Sequence, residues 1–178
     1  GALQFTQGTN QQMRAIVSSG PLTTLNNHTL AYWVKFNAVG DSDWRRLIGY
    51  LPSGSDRAPG VWTCPNSTNV LGLHHKVNPF NSGFFCLNQT GDNNGTPYAT
   101  NAWYHITVTK NDGVANYYLN GLAVIAGTFS TPMTSGAGTL FIGYDNVFLA
   151  AGMVIDEVRF YNRALTLSEI QAIRDLNP

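Results

Sequence analysis

The stretch Val154-Ile155-Asp156-Glu157-Val158-Arg159-Phe160-Tyr161-Asn162-Arg163-Ala164-Leu165 reads as a strand that runs straight into a capped helix. Val154, Asp156, Val158 and Phe160 alternate with Ile155, Glu157, Arg159 and Tyr161, the period-two pattern of a strand with two unlike faces. The alternation predicts an apolar row interrupted by Asp156. A carboxylate in such a row is costly to bury unless something pairs with it, which makes Asp156 a candidate functional residue. Beyond the strand, Thr166 stands as an N-cap with Glu169 three residues on, and Leu165 and Ile170 supply a hydrophobic staple. Ile170, Ile173 and Leu176 give the predicted helix one apolar side.

Outward from this stretch the chain is nearly all β. Strands are predicted at residues 2–6, 15–18, 29–36, 46–50, 60–64, 70–75, 83–87, 103–110, 116–119, 122–125 and 139–143. Residues 29–36 place Leu30, Tyr32, Val34 and Phe36 on one face. Asn120-Gly121 between two alternating runs is the strongest short hairpin signal, because both turn residues must accept a positive φ. Residues 51–60 carry two prolines and two glycines and form a long loop. Residues 89–97 form a second, polar loop. Many short strands and one terminal helix predict an all-β, two-sheet antiparallel β-sandwich with one short C-terminal helix, in a single domain over 1–178.

The composition narrows the function. Only 11% of the 178 residues are charged, against the usual quarter or so, so Asn, Thr, Ser and Gln must keep the surface polar. Secreted and surface-displayed β proteins often do this. A formal net charge of zero without a basic run argues against nucleic acid and anionic membrane surfaces. No apolar run reaches the roughly 18 residues of a span, which argues against membrane insertion. The start at Gly1 without a signal peptide suits a mature chain or an excised domain. Cys64 and Cys86 fall in separate predicted strands. A disulfide between them would imply an oxidising compartment; two buried free thiols are the alternative. Sequons at Asn27, Asn66, Asn88 and Asn94 add little, since chance gives roughly three in a chain this rich in Asn.

Four further segments join the opening one in a fixed order. Leu30-Ala31-Tyr32-Trp33-Val34-Lys35, Trp103-Tyr104-His105-Ile106-Thr107-Val108-Thr109, Tyr118-Leu119-Asn120-Gly121, Leu140-Phe141-Ile142-Gly143 and the strand–helix stretch with its helix together resemble the laminin-G-like jelly roll. That fold is a branch of the concanavalin A-like lectin and glucanase superfamily. The resemblance implies two curved antiparallel sheets, one convex and one concave. The fold hosts lectins, adhesion modules, hydrolases and lyases, so function must be argued from the site. The resemblance also implies a structural Ca²⁺, held by an Asp that matches Asp156 and by backbone carbonyls of an early loop. Gly40 and Asp41, with Asp43 close by, are the nearest helpers, and backbone and water would complete the six to eight oxygens calcium takes. A hydrogen-bonded structural carboxylate is the alternative role for Asp156.

Glucanase relatives need paired carboxylates on one strand, typically Glu-x-Asp-x-x-Glu. The chain has only Glu157 and Glu169. Glu169 fits the capping box, and neighbouring Asp156 and Glu157 point to opposite faces of a strand. A polysaccharide lyase would draw on His74, His75, Tyr50 and Arg57, but no lyase motif is legible. His74 and His75 face apart and the cysteines lack chelating spacing, which argues against zinc. Asp92-Asn93-Asn94-Gly95 lacks the downstream bidentate Glu of a calcium loop and reads as a turn.

Glycan binding needs aromatic faces for sugar CH groups and planar polar groups for hydroxyls. Trp44 and Arg45 lie beside Asp41, Asp43 and Arg46. Trp62 follows Tyr50, Asp56 and Arg57 and precedes Asn66 and Asn69. Tyr144, Asp145, Asn146 and Phe148 form a third polar–aromatic loop. Core packing is the expected role of Trp33 and Trp103 inside strands, while Trp44 and Trp62 beside loops fit either role. The sequence therefore predicts a non-catalytic, lectin-like module of a secreted, cell-surface or virion-surface protein, with a glycan or glycoprotein as partner. An adhesion or structural domain that recognises protein is the alternative, and a lyase the least expected.

Overall fold

A computed structural model describes residues 1–19, 26–52, 59–65, 72–77, 83–92, 94–130 and 136–176. Among these, the chain forms β1 (Leu3–Phe5), β2 (Gln12–Val17), β3 (His28–Phe36), β4 (Arg45–Pro52), β5 (Gly60–Thr63), β6 (Leu73–Lys76), β7 (Gly83–Leu87), β8 (Trp103–Asn111), β9 (Val114–Leu119), β10 (Leu122–Thr128), β11 (Gly138–Gly143), β12 (Met153–Tyr161) and α1 (Leu167–Asp175). The strands pair into two six-stranded sheets. Sheet A runs β1-β12-β3-β8-β9-β10, and sheet B runs β2-β11-β4-β5-β6-β7. Every named pairing is antiparallel, so the expected two-sheet sandwich with a short C-terminal helix is the observed one. Boundaries moved modestly: β2 starts earlier than expected because it pairs with the whole of β11, from Gln12 opposite Gly143 to Val17 opposite Gly138. Val70 and Leu71, expected in a strand, lie outside the described residues.

Alternation decides the core. Leu30, Tyr32, Val34 and Phe36 of β3 lie beside Ile106 and Val108 of β8 on the inner face of sheet A, and sheet B adds Leu47, Ile48, Val61, Leu73, Phe84 and Leu87. Burying one such side chain contributes about 1.5–3 kcal/mol. One polar cluster interrupts this layer. The Tyr32 hydroxyl bonds His75 Nε2 at 2.7 Å, and the Tyr98 and Tyr117 hydroxyls bond each other at 2.5 Å. His74 and His75 face apart as expected, His75 into the core.

The opening strand departs from its predicted faces. Asp156 pairs with Trp33, yet the next paired residue is Arg159, opposite Ala31. One extra residue is absorbed between them, and Glu157 takes φ +51, which marks a β-bulge. Ile155 and Phe160 therefore both lie opposite inward residues, Val34 and Leu30. Asp156 leaves the apolar row and sits on the outer face of sheet A, its Oδ1 accepting the Glu157 N–H at 2.9 Å. A simple period of two cannot show this, because a bulge reverses parity in mid-strand.

The helix follows its sequence signals. Thr166 and Glu169 form the capping box, and Leu165 and Ile170 are buried. Thr29 Oγ1 donates to Arg163 O and accepts from Leu165 N, which fixes the approach to α1. Asn120 and Gly121 take φ +51 and +74 in the hairpin turn. Gln171 and Arg174 donate to the Gly121 and Asn120 carbonyls and dock the helix on that turn. Leu176, expected on the apolar side, follows the last helical residue and is 68% exposed. Thr166→Ala is expected to cost about 1 kcal/mol, read as a lower midpoint in urea unfolding.

Candidate functional site

Residues that alternate with the core of sheet B point outward. Arg46 of β4 lies opposite Trp62 of β5, and Trp62 lies opposite His74 of β6. Phe85 of β7 follows inward Phe84, so the row Arg46–Trp62–His74–Phe85 crosses four neighbouring strands. Ring centroids are 5.6 Å apart for Trp62–His74 and 5.3 Å for His74–Phe85. Trp44, just before β4, meets His74 at 5.6 Å and Phe85 at 5.8 Å, both edge to face. Phe148, from the loop between β11 and β12, meets Trp62 at 5.8 Å. Phe85 is 58% exposed, while Trp62 and His74 are almost covered. Trp62 Nε1 and His74 Nδ1 are buried without a hydrogen-bond partner among the described residues.

Charge holds this face together at one end. The Arg46 guanidinium lies 3.7 Å from the centre of the Trp62 ring and 5.4 Å from that of Phe148. It pairs with Asp145, and both side chains are fully buried. Asp145 Oδ1 also accepts the Val147 and Phe148 amides at 3.1 and 2.7 Å. Arg46 thus binds the loop that delivers Phe148. Burial, then the charge of Lys76, push His74 down to about 4, against a hydrogen bond at the Phe84 backbone that raises it. The His74 ring is therefore neutral at pH 7.

A laminin G family profile, described as the concanavalin A-like lectin/glucanases superfamily, matches residues 7–171. The chain belongs to this superfamily. Among solved structures it resembles a heptameric SAP-like pentraxin from Limulus polyphemus, with TM-score 0.67, 15% identity and coverage of 98% of this chain and 80% of that one. It also resembles the binding domain of botulinum neurotoxin serotype D, with TM-score 0.63, 14% identity and 99% and 42% coverage. Domain 4 of a GH43 extracellular arabinanase from Geobacillus stearothermophilus, solved with arabinotriose, gives TM-score 0.55, 20% identity and 86% and 69% coverage. The chain spans less than half the length of the toxin domain. At these identities the likeness is one of fold. A comparison with curated proteins gives no match.

Within this member of the superfamily, the sequence-predicted residues separate. Trp44 and Trp62 meet in the aromatic face. Arg45 is turned away into ion pairs with Asp41 at 2.8 Å and Asp43 at 3.1 Å. Tyr50 is fully buried beside Val17, Leu140 and Phe160, its hydroxyl donating to Gly136 O at 2.5 Å. It shares the inward parity of Ile48 and does not reach the surface. Asp145 anchors its own loop. Tyr144 is half-buried with its amide bonded to Gln11 O, and Asn146 is exposed at φ +69. Asp56, Arg57, Asn66 and Asn69 lie outside the described residues. Trp33 and Trp103 lie outside the core, on the outer face of sheet A. Arg46, His74 and Phe85 are the additions; the expectation that His74 and His75 face apart already required one of them to point outward.

The carboxylates expected to hold calcium do not fit it. Asp41 accepts from Arg45 Nε, Gln7 Nε2 and the Asp43 amide. Burial pushes its carboxyl up, but these donors outweigh that effect and hold it below the usual range. A cation there would have to displace a guanidinium. Asp156 stands beside Trp33 on sheet A, and no group of three or more His, Cys, Asp or Glu suited to a metal occurs among the described residues. Asp92 accepts from Asn88, Thr90 and Asn94, as a turn carboxylate does. Chelation with EDTA is expected to leave the melting temperature unchanged in differential scanning calorimetry.

Acid should weaken the fold. Burial, then the charge of His74, push His75 from the usual 6.5 down to about 3, and His74 stands at about 4. The unfolded chain protonates these rings as pH falls below about 6.5, whereas the folded chain does not. Their stabilising contribution is whole above pH 6.5 and is lost as pH falls toward 3. The loss for each ring runs from pH 6.5 down to its own folded value, about 4 for His74 and about 3 for His75, at a rate on the order of 1 kcal/mol per pH unit, measurable as a decline in urea midpoint between pH 7 and 4.

Proposed function

We propose that this chain is a non-catalytic carbohydrate-binding module of a secreted or surface-displayed protein, and that the outer face of sheet B receives the sugar. One observation carries the reading: the row Trp62–His74–Phe85, closed by Trp44 and Phe148, joins aromatic rings to a buried indole N–H and a buried ring nitrogen that have no partner among the described residues. Sugar CH faces stack on such rings, and hydroxyls satisfy the nitrogens. The arabinanase domain solved with arabinotriose supports the reading as a neighbour of the same fold. The absence of catalysis is supported by the engagement of both glutamates, Glu157 with Arg159 and Glu169 with Arg163 and the capping box. The Cys64–Cys86 disulfide supports an oxidising compartment.

A glycan-array screen with calcium and with chelator tests this. Binding is expected in both conditions, and Phe85→Ala should weaken it about tenfold, equivalent to about 1.4 kcal/mol. A silent array overturns the proposal. An adhesion domain would then be the better reading, drawing on edge strand β10, where Leu122 is 66% and Ile125 38% exposed.

A further inference from the structure

We propose that the outer face of sheet A carries a second saccharide site, built by Trp33, Trp103, Lys35 and Asp156, for a neutral sugar with adjacent hydroxyls. Three strands bring these residues together. Lys35 lies opposite Trp103, Trp33 opposite His105, and Asp156 opposite Trp33 on the other side. The Trp33 and Trp103 rings stand at 82° with centroids 6.5 Å apart, and Trp33 lies 5.2 Å from His105. Lys35 Nζ is 5.4 Å from the centre of the Trp103 ring. Trp103 is 41% exposed on a strand whose other face builds the core. A surface indole at right angles to a second indole forms a corner, into which the apolar face of a pyranose or furanose fits.

The polar groups set the ligand class. Trp33 Nε1 and His105 Nδ1 are buried without a hydrogen-bond partner among the described residues, and His105 is 3% exposed. Lys35 makes no ion pair among the described residues. Asp156 gives one oxygen to the Glu157 amide and makes no other hydrogen bond among the described residues, so its second oxygen is open to a ligand. An ammonium and a carboxylate on one face suit neighbouring hydroxyls, one accepting from Lys35 and one donating to Asp156. An anionic sugar would meet the Asp156 charge. The other charges at the rim are taken: Arg159 by Glu157, and Arg174 by Asp175 and Asn120 O. Burial, then Arg174, push His105 down to about 4, which leaves it neutral at pH 7.

This site stands on the face opposite the Trp62–His74–Phe85 row, so the two would engage separate sugars. A bivalent module gains avidity on a polymer or a glycan-coated surface without any new contact.

The test is a titration of the whole ¹⁵N-labelled chain with arabinotriose, cellotriose and maltotriose at millimolar concentration, read at the tryptophan indole N–H resonances. The Trp33 and Trp103 signals are expected to shift with at least one of the three. Trp103→Ala should abolish the Trp33 shift, and Lys35→Ala should weaken that binding about tenfold; both are surface changes, and fold retention is read from the same spectra. Trp33 and Trp103 signals unmoved by all three sugars would overturn the second site. The sheet B proposal is read separately, from the Trp44 and Trp62 signals, so either site can fail while the other stands.

Discussion

Replacing Arg46 by alanine is expected to destabilise the chain by about 3–5 kcal/mol, the largest single-residue effect foreseen in this fold. The cost comes less from the lost contact than from what stays behind. Asp145 is fully buried, and without the guanidinium its charge has no counterion in a site closed to water. The Val147 and Phe148 amides still bond Asp145 Oδ1, but two neutral dipoles do not replace a cation. Arg46→Met separates the two contributions, since it restores volume beneath Phe148 and still strands the carboxylate. Adding Asp145→Asn to it removes the charge and keeps an acceptor for the loop amides. The double variant should recover most of the loss, with a coupling of about 2 kcal/mol in a double-mutant cycle. Additive effects would show that the ion pair does not organise the loop. Glycan binding should also fall in Arg46→Met, because Phe148 rides on that loop.

This pair shows where the sequence was legible and where it was not. The strands of sheet A, the Asn120-Gly121 turn and the capped helix are local signals, set by alternation and backbone preference, and each appears where expected. The aromatic face is not local. Arg46 and Asp145 stand 99 positions apart, and only the order β11-β4-β5-β6-β7 brings Trp62, His74 and Phe85 into one row. Trp44 and Trp62 could be chosen from their polar neighbours, but Tyr50 could not be excluded without the parity of β4. The bulge in β12 is the instructive failure. One residue at positive φ moved Asp156 off the core face, and with it the reason to treat that carboxylate as a buried ion ligand. The same displacement set it beside Trp33.

A bulge of the same kind sits beneath the second large effect, loss of the Cys64–Cys86 disulfide. In β6 and β7, Leu73 pairs with Leu87 and His75 with Phe84, so β7 spends one more residue than β6 between those pairs. Cys86 lies in that interval at φ +54, in the left-handed region that costs a residue with a β-carbon about 1–2 kcal/mol. The bulge lets Phe84 and Leu87 both face the core while Phe85 faces out. The disulfide ties it to Cys64, two residues after Trp62, across a separation of 22 residues. A closed loop of that size contributes about 3 kcal/mol by restricting the unfolded chain. Cys64→Ser with Cys86→Ser should therefore lower the melting temperature by roughly 6–12 °C, and dithiothreitol should do the same to the parent chain but nothing further to the double variant. Binding should respond as well. With the bulge untied, Phe85 loses its fixed distance to His74 and Trp44, so sugar affinity should fall even at temperatures where the double variant is fully folded. Reduction that lowers the melting temperature and leaves affinity untouched would confine the disulfide to stability and remove Phe85 from the site.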